Sequence, residues 1–110
     1  MSTYFKNKLI SEIGTTESEV ISTASNATAT VIGLSLTNLT GGIVLASIRL
    51  VDTVLTEQAY YAKDIVIPPN QSLRVINGGE KLVLAANMKL YVVANTPASL
   101  DLVASYALVT

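Results

Sequence analysis

The sequence predicts an all-β fold: a single antiparallel β-sandwich, jelly-roll-like, with eight or nine short strands. Apolar and polar residues alternate with a period of two, which is the spacing of a half-buried strand. Turn signals from Gly, Pro and Asn recur about every ten residues, as expected for the short strands of sandwiches and jelly rolls. Half of the residues are hydrophobic and only 14% are charged, so the chain can build one core.

The chain opens with two candidate strands, 8–13 and 19–23. The run 29–38 follows, and its alternation predicts a half-buried strand. Three apolar side chains fall on the predicted core face of this strand: Ile32, Leu34 and Leu36. A Gly-Gly turn signal comes next, and then a second alternating run, 43–52. The two runs are therefore predicted to form a β-hairpin.

Five further strands are predicted in the second half of the chain: 60–67, 72–76, 81–84, 89–94 and 100–109. Proline cannot donate to a sheet ladder, so the Pro-Pro pair at 68–69 ends the first of them. The Asn-Gly-Gly run at 77–79 is assigned to a left-handed turn. The alternative for one region is a short helix over 53–63, where three apolar residues have helical spacing.

The residue types on which most enzymes depend are missing. There is no His, Cys or Trp, which removes disulfides, thiol nucleophiles, the usual zinc ligands and the usual general base. Glu17 and Glu19 lie two residues apart, but they are interpreted as solvated surface rather than as a glycosidase pair. We expect a protein that is not an enzyme and that holds no cofactor and no metal.

Charge and hydropathy exclude two classes of partner. The seven Lys and Arg residues are scattered and the net charge is −1, whereas nucleic-acid binders cluster their basic residues. The first 14 residues do not resemble a signal peptide, and no apolar run is long enough to span a membrane. We therefore expect neither a nucleic-acid nor a membrane partner, and a net charge near zero favours self-association.

Several strands carry apolar residues on the side opposite their predicted core face: Val51, Tyr91, Val93, Val103, Ala107 and Val109. Loops that cover both sides of a strand would explain part of this pattern. The hypothesis that we favour is a subunit interface, because a small β domain rarely exposes a large contiguous apolar patch.

Two aromatic pairs are further interface candidates. Tyr4 and Phe5 lie in 1–12, which is interpreted either as an arm that docks onto a neighbour or as a first strand, ahead of a sandwich domain at 13–110. The adjacent tyrosines of 60–67 point to opposite faces, so one of them is expected to be exposed. The exposed tyrosine is interpreted either as a side chain that stacks on a sugar or a protein, or as a strand residue whose hydroxyl is solvated. The predicted interface comprises Tyr4, Phe5, Tyr60, Tyr61, Tyr91, Val93, Val103 and Val109.

Three segments carry a resemblance to a known group: ATATVIGLSLTNLTGG, IVIPPNQSLRVINGGEKLVLAANMKLYVVA and the final DLVASYALVT. Over 13–110 the chain resembles small virion structural proteins of tailed bacteriophages, although the ending at 108–110 lacks the acidic residue of that group. The resemblance implies a β-sandwich subunit, symmetric assembly, a position on the outside of a virion and no catalytic residues.

The expected function is therefore that of a capsid decoration or cement protein of a bacteriophage. It would be a homo-oligomer that bridges capsid subunits and contacts the major capsid protein or other virion proteins. Analogy with the three-fold sites of icosahedral shells favours a trimer. The expected location is the virion, which assembles in the host cytoplasm. The alternatives are a tail, collar or fibre-base component, and a carbohydrate-binding β-sandwich module for host attachment.

Overall fold

The structure, a computed structural model, describes residues 2–77 and 79–110. Within these residues it contains nine strands and no helix, and two antiparallel sheets pack as a sandwich, which confirms the predicted all-β fold. The strands are β1 (Thr3–Ile13), β2 (Ser18–Ser22), β3 (Thr28–Asn38), β4 (Val44–Asp52), β5 (Glu57–Ile67), β6 (Ser72–Ile76), β7 (Leu82–Leu84), β8 (Met88–Ala94) and β9 (Leu100–Val109). The described part of the chain accordingly offers no helix that is long and apolar enough to cross a membrane.

Both sheets join strands that are far apart in the chain. The first sheet has the order β1-β9-β3-β6, and β7 also pairs with β3. The second sheet has the order β2-β8-β4-β5. β1 is an edge strand that pairs with β9 from Thr3 to Ile13. Residues 3–12, for which the sequence left open an arm or a first strand, thus lie in β1, while Met1 lies outside the described residues.

The core lies between the inner faces of the two sheets. Alternate residues of β4, β8 and β9 point into it, as the period-two pattern predicts. The largest fully buried side chains are Ile13, Val31, Leu34, Leu36, Val44, Ile48, Ile67, Ile76, Leu84, Leu90, Leu100 and Leu102. All of them come from strands, and they form one cluster that bridges both sheets.

β3 departs from the predicted alternation at Ile32. Its pairing with β9 shifts between Val31 and Gly33, so a β-bulge interrupts the ladder. Val31 and Leu34 are both buried, while Ile32 is half-buried. The prediction that Ile32 shares the core face with Leu34 and Leu36 is wrong, because the extra residue in the bulge reverses the alternation on its N-terminal side.

The predicted hairpin of 29–38 and 43–52 is also wrong, because β3 belongs to the first sheet and β4 to the second. The buried Asn38 controls this connection. Its Nδ2 donates to the carbonyl oxygens of Gly42 (2.8 Å) and Ile67 (3.0 Å), and its Oδ1 accepts from the N–H of Thr40 (2.8 Å). These bonds attach the loop to the end of β5 in the second sheet, so the chain crosses between sheets instead of folding back.

The helix considered for 53–63 does not form, and a β4–β5 hairpin takes its place. The Asp52 carboxylate accepts from the N–H groups of Val54 and Leu55, both at 3.0 Å. This arrangement closes a tight turn, and β5 begins at Glu57. The side chain that caps the turn therefore prevails over the helical spacing of the apolar residues.

The turn predicted at 77–79 is partly described. The N–H of Glu80 donates to the carbonyl oxygen of Asn77 at 3.0 Å, which closes a β-turn. The N–H of Gly79 donates to Asn77 Oδ1 at 3.1 Å, and Gly79 has no positive φ. Gly78 lies outside the described residues.

Candidate association surface

The structure separates the eight predicted interface residues into three groups. Tyr4 and Tyr61 belong to inward-facing positions, since Tyr4 pairs with Leu108 and Tyr61 packs on the edge of the core. Three residues lie on the outer face of the first sheet: Phe5, Val103 and Val109. Three others lie on the outer face of the second sheet: Tyr60, Tyr91 and Val93. The set is therefore not one patch, and the two outer faces must be compared.

The outer face of the first sheet is rich in exposed apolar side chains. Strand pairing aligns the outward residues of its central part in three transverse rows: Phe5–Ala107–Thr30–Val83, Asn7–Ser105–Gly33 and Leu9–Val103–Ser35–Arg74. A further row at one end of the face contains Thr3, Val109 and Thr28. Phe5 is 81% exposed, Leu9 67%, Val83 61% and Val103 48%. Phe5 and Leu9 thus stand on the edge strand β1 and Val83 on β7, while Val103 lies on the central strand β9.

This face is also concave. A recess of about 540 Å³ is lined by Phe5, Lys6 and Asn7 of β1, Ile32 of β3, and Ser105 and Tyr106 of β9. A second recess of about 260 Å³ shares Ile32 and Ser105 with the first and extends past Gly33 to Arg74. These two adjoining recesses are together called the depression.

Two cations line the depression, Lys6 in the first recess and Arg74 in the second. Arg74 is the one charged side chain in the three rows, and among the described residues it makes no ion pair. The apolar area ends at a polar row in which Asp101 accepts from the N–H of Glu12 at 3.0 Å. In the same row the hydroxyls of Thr37 and Ser72 lie 2.7 Å apart. The depression thus combines apolar side chains with two cations, and hydrogen-bonded polar groups bound it on one side.

The outer face of the second sheet is organised around Arg49. Its guanidinium forms a bidentate pair with Glu17, with Nε–Oε2 at 2.8 Å and Nη2–Oε1 at 2.6 Å. It also donates to Gln58 and lies 4.9 Å from the ring centroid of Tyr91. The hydrogen bond from Arg49 lowers the pKa of Glu17 below its usual value.

Two further contacts add charged groups to this second face, on which Val66 is also exposed. Lys89 pairs with Glu19 at 3.2 Å, and the ammonium of Lys63 lies 4.7 Å from the ring centroid of Tyr60. The exposed tyrosine at 60 is thus partly covered by a cation. Tyr61, its neighbour, faces the other way, and burial together with the nearby Glu80 raises the pKa of its hydroxyl. Because Tyr60 and Tyr61 face opposite sides of the strand, the two rings do not form a flat aromatic surface on which a sugar could stack.

The sequence prediction missed four members of the first outer face: Leu9, Ile32, Arg74 and Val83. Leu9 was detectable, because Phe5 and Leu9 are four residues apart in one strand and share a face. Arg74 and Val83 were not, because only the pairing of β6 and β7 with β3 brings them there. Within 2–77 and 79–110, no three acidic side chains converge in a group that could hold a metal ion.

Comparisons with known proteins address the fold. The sequence matches no protein-family model and no curated protein sequence. A chain from the structure of Bacillus endospore appendages, a family of disulfide-linked pili, is similar with a TM-score of 0.53 and 11% identity, over 99% of this chain and 88% of that chain. A chain from the structure of the infectious bursal disease virus Gt strain is similar with a TM-score of 0.53 and 15% identity, over 97% of this chain.

These similarities concern the β-sandwich alone, since identities this low carry no shared site. The chain spans only 32% of the viral chain but 88% of the pilus chain. Both related folds occur in proteins of large assemblies, a pilus and a virus. What these chains share with the protein described here is the β-sandwich fold.

Proposed function

We propose that this chain is a non-catalytic structural subunit that associates with copies of itself and with other proteins of a virion. The observation that carries the proposal is the outer face of the first sheet, where Phe5, Leu9 and Val83 are all more than half exposed beside an open depression. Exposed apolar side chains grouped in this way are typical of protein interaction sites.

The electrostatics of the second outer face support a role without catalysis. Glu17 is neutralised by Arg49, and Glu19 is paired with Lys89. A glycosidase needs one carboxylate with a raised pKa as acid, whereas the pKa of Glu17 is lowered. Glu17 thus lacks the raised pKa that the acid of such a pair needs.

Similarity to a pilus chain supports a polymerising or assembling role, with one chemical difference. The related pili are disulfide-linked, whereas this sequence contains no Cys. Contacts between copies of these 110 residues must therefore rest on buried surface and hydrogen bonds. A face that combines apolar side chains with a depression meets that need.

Within this role, the finer proposal is a decoration protein on a bacteriophage capsid. It is supported by the resemblance of 13–110 to small phage virion proteins and by the similarity of the fold to a viral chain. Each subunit would bridge neighbouring capsid proteins, and a specific contact of standard size buries about 1,600 Å² in total. Many such contacts around a shell would strengthen it through avidity.

The test uses particles of the encoding virus from which this protein is missing. Purified protein is mixed with these particles, with isolated tails and with buffer alone, and each mixture is sedimented. Stoichiometric co-sedimentation with shells is the expected result. Binding to tails alone overturns the decoration role in favour of a tail component. A strict monomer that binds neither overturns the structural role itself.

A further inference from the structure

A β-sandwich can associate through strand edges or through sheet faces, and here the edges are blunted. β1 places Lys6 and Lys8 on its inward side, where they pair with Tyr106 and Ala104 of β9. Inward-pointing charges on an edge strand oppose the addition of another strand. β1 also carries a register shift near its C-terminal end, just after Ile10, which interrupts the ladder that a new strand would need.

The other edge strands are protected because they are short or contain bulges. β6 has five residues and β7 three, so neither presents a long ladder. β2 has five residues and a register shift. β5 contains Asp64 at a φ of 50°, beside a break in its register with β4. Short and bulged edges are the devices by which proteins avoid pairing at their edges. Association through a face is therefore favoured.

Of the two outer faces, the second holds the polar network around Arg49, and its large hydrophobic side chains more than half exposed are Tyr60 and Val66. The first has more exposed apolar surface, at Phe5, Leu9 and Val83. We infer that the outer face of the first sheet is the contact between two copies of this chain, which pack face to face with Phe5 of each copy in the depression of the other. This inference deepens the proposed function and rests on it.

Self-complementary shape identifies a second copy as the occupant. The same face carries an exposed ring, Phe5, and an open recess of about 540 Å³ whose lining includes Lys6, Ser105 and Tyr106. In a two-fold contact each surface meets its own copy, so a projection and a recess on one face can fill each other.

Charge and size agree with this occupant. The charges at this contact are Arg74 in the three rows and Lys6 at the first recess, and a cation beside an inserted phenyl ring is favourable. Four strands at about 4.8 Å spacing and ten residues at about 3.3 Å rise give a face of about 600 Å² in projection. A standard interface removes about 800 Å² of accessible surface from each partner, and the accessible area of a corrugated face exceeds its projection.

A face-to-face contact of this kind closes on itself and produces pairs. It therefore differs from the trimer that analogy with capsid three-fold sites favoured. Larger assemblies would need a second, separate contact. The stoichiometry of the purified protein is thus a direct measurement of the inference.

The experiment compares matched variants by sedimentation velocity. Phe5→Lys places a charge in the contact, and Tyr60→Lys places the same charge at an exposed aromatic position of the other outer face. Gly33→Ala adds a methyl group to the lining of the second recess, where the nearest atom to the new Cβ is a backbone oxygen at 3.8 Å, so the monomer accommodates it. Circular dichroism and thermal melting verify that each variant folds.

The expected result is a wild-type dimer whose dissociation constant rises at least about tenfold in Phe5→Lys and in Gly33→Ala but not in Tyr60→Lys. A cysteine introduced by Ser105→Cys should cross-link two copies with a short bismaleimide, while Val66→Cys on the second outer face should not. These two cysteine variants locate the contact without any comparison of affinities.

Four results overturn the inference. A trimer is incompatible with a closed face-to-face pair. A dimer that Phe5→Lys does not weaken has its contact elsewhere, and this outcome leaves the proposed function intact. A wild-type monomer whose particle binding is lost in Phe5→Lys assigns the face to another virion protein. A monomer that binds no particle overturns the proposed function as well.

Discussion

Asn38 shows how one buried amide directs the chain. Its side chain is 1% exposed, yet its amide nitrogen and its oxygen are both engaged, the oxygen accepting from the N–H and the hydroxyl of Thr40. Buried polar groups are tolerated when they are fully hydrogen-bonded. Here the bonds also join the end of β3 to the loop and to Ile67 in the other sheet.

Asn38→Asp should destabilise the fold strongly, because it replaces two donors by an oxygen that faces the carbonyls of Gly42 and Ile67. We expect the free energy of unfolding to fall by about 2–4 kcal/mol in urea denaturation, since unpaired buried acceptors and a buried charge are both costly. Asn95→Asp is the control, because the Oδ1 of Asn95 accepts hydrogen bonds that a carboxylate can also accept. Equal stability of the two variants would contradict this role of Asn38.

At the level of the strand, β1 combines two opposing properties. Its outward side carries Phe5 and Leu9, while its inward side carries Lys6 and Lys8. An 11-residue edge strand is long enough to recruit another chain. The lysines therefore protect the edge while the outward side remains available for contact.

Lys8→Val should expose β1 to uncontrolled pairing, because it replaces an inward charge by a β-branched residue that favours strands. The expected outcome is a rise in light scattering and in thioflavin fluorescence on incubation. Lys81→Val removes the same charge outside the strands and is the matched control. If solutions of the two variants show equal light scattering and equal thioflavin fluorescence, the protective role assigned to Lys8 is wrong.

For the molecule as a whole, one core holds the two sheets together. Leu36 in the first sheet and Leu90 in the second are both fully buried in the same cluster. Within the described residues, neither sheet has a second buried apolar layer of its own. The two sheets should therefore unfold together.

Leu36→Ala should lower the free energy of unfolding by about 2–5 kcal/mol, because it removes buried methyl groups and leaves a cavity. Tyrosine fluorescence and far-UV circular dichroism should report the same shifted midpoint, as expected for a single cooperative domain. Val66→Ala, at an exposed position of β5, should change stability by less than about 0.5 kcal/mol. Two separate transitions would show that the sheets unfold independently.

Local patterning of residues is enough to specify most of the strands. The alternation at 72–76 and 100–109 predicts β6 and β9 with their observed bounds, because side-chain direction along a strand is a local property with a period of two. The lack of His and Cys likewise excludes thiol, disulfide and imidazole chemistry in any fold that these residues adopt.

Which strands become neighbours depends on the three-dimensional packing of the chain. Phe5 lies on the same face as Val83 and Arg74 because β9 and β3 come together from distant parts of the chain. Tyr91 lies on the other outer face because β8 pairs with β4. The bulge at Ile32 and the crossing at Asn38 depend on the same non-local contacts. Strand pairing and sheet membership are set by long-range packing and hydrogen bonds, which the local alternation of residues does not encode.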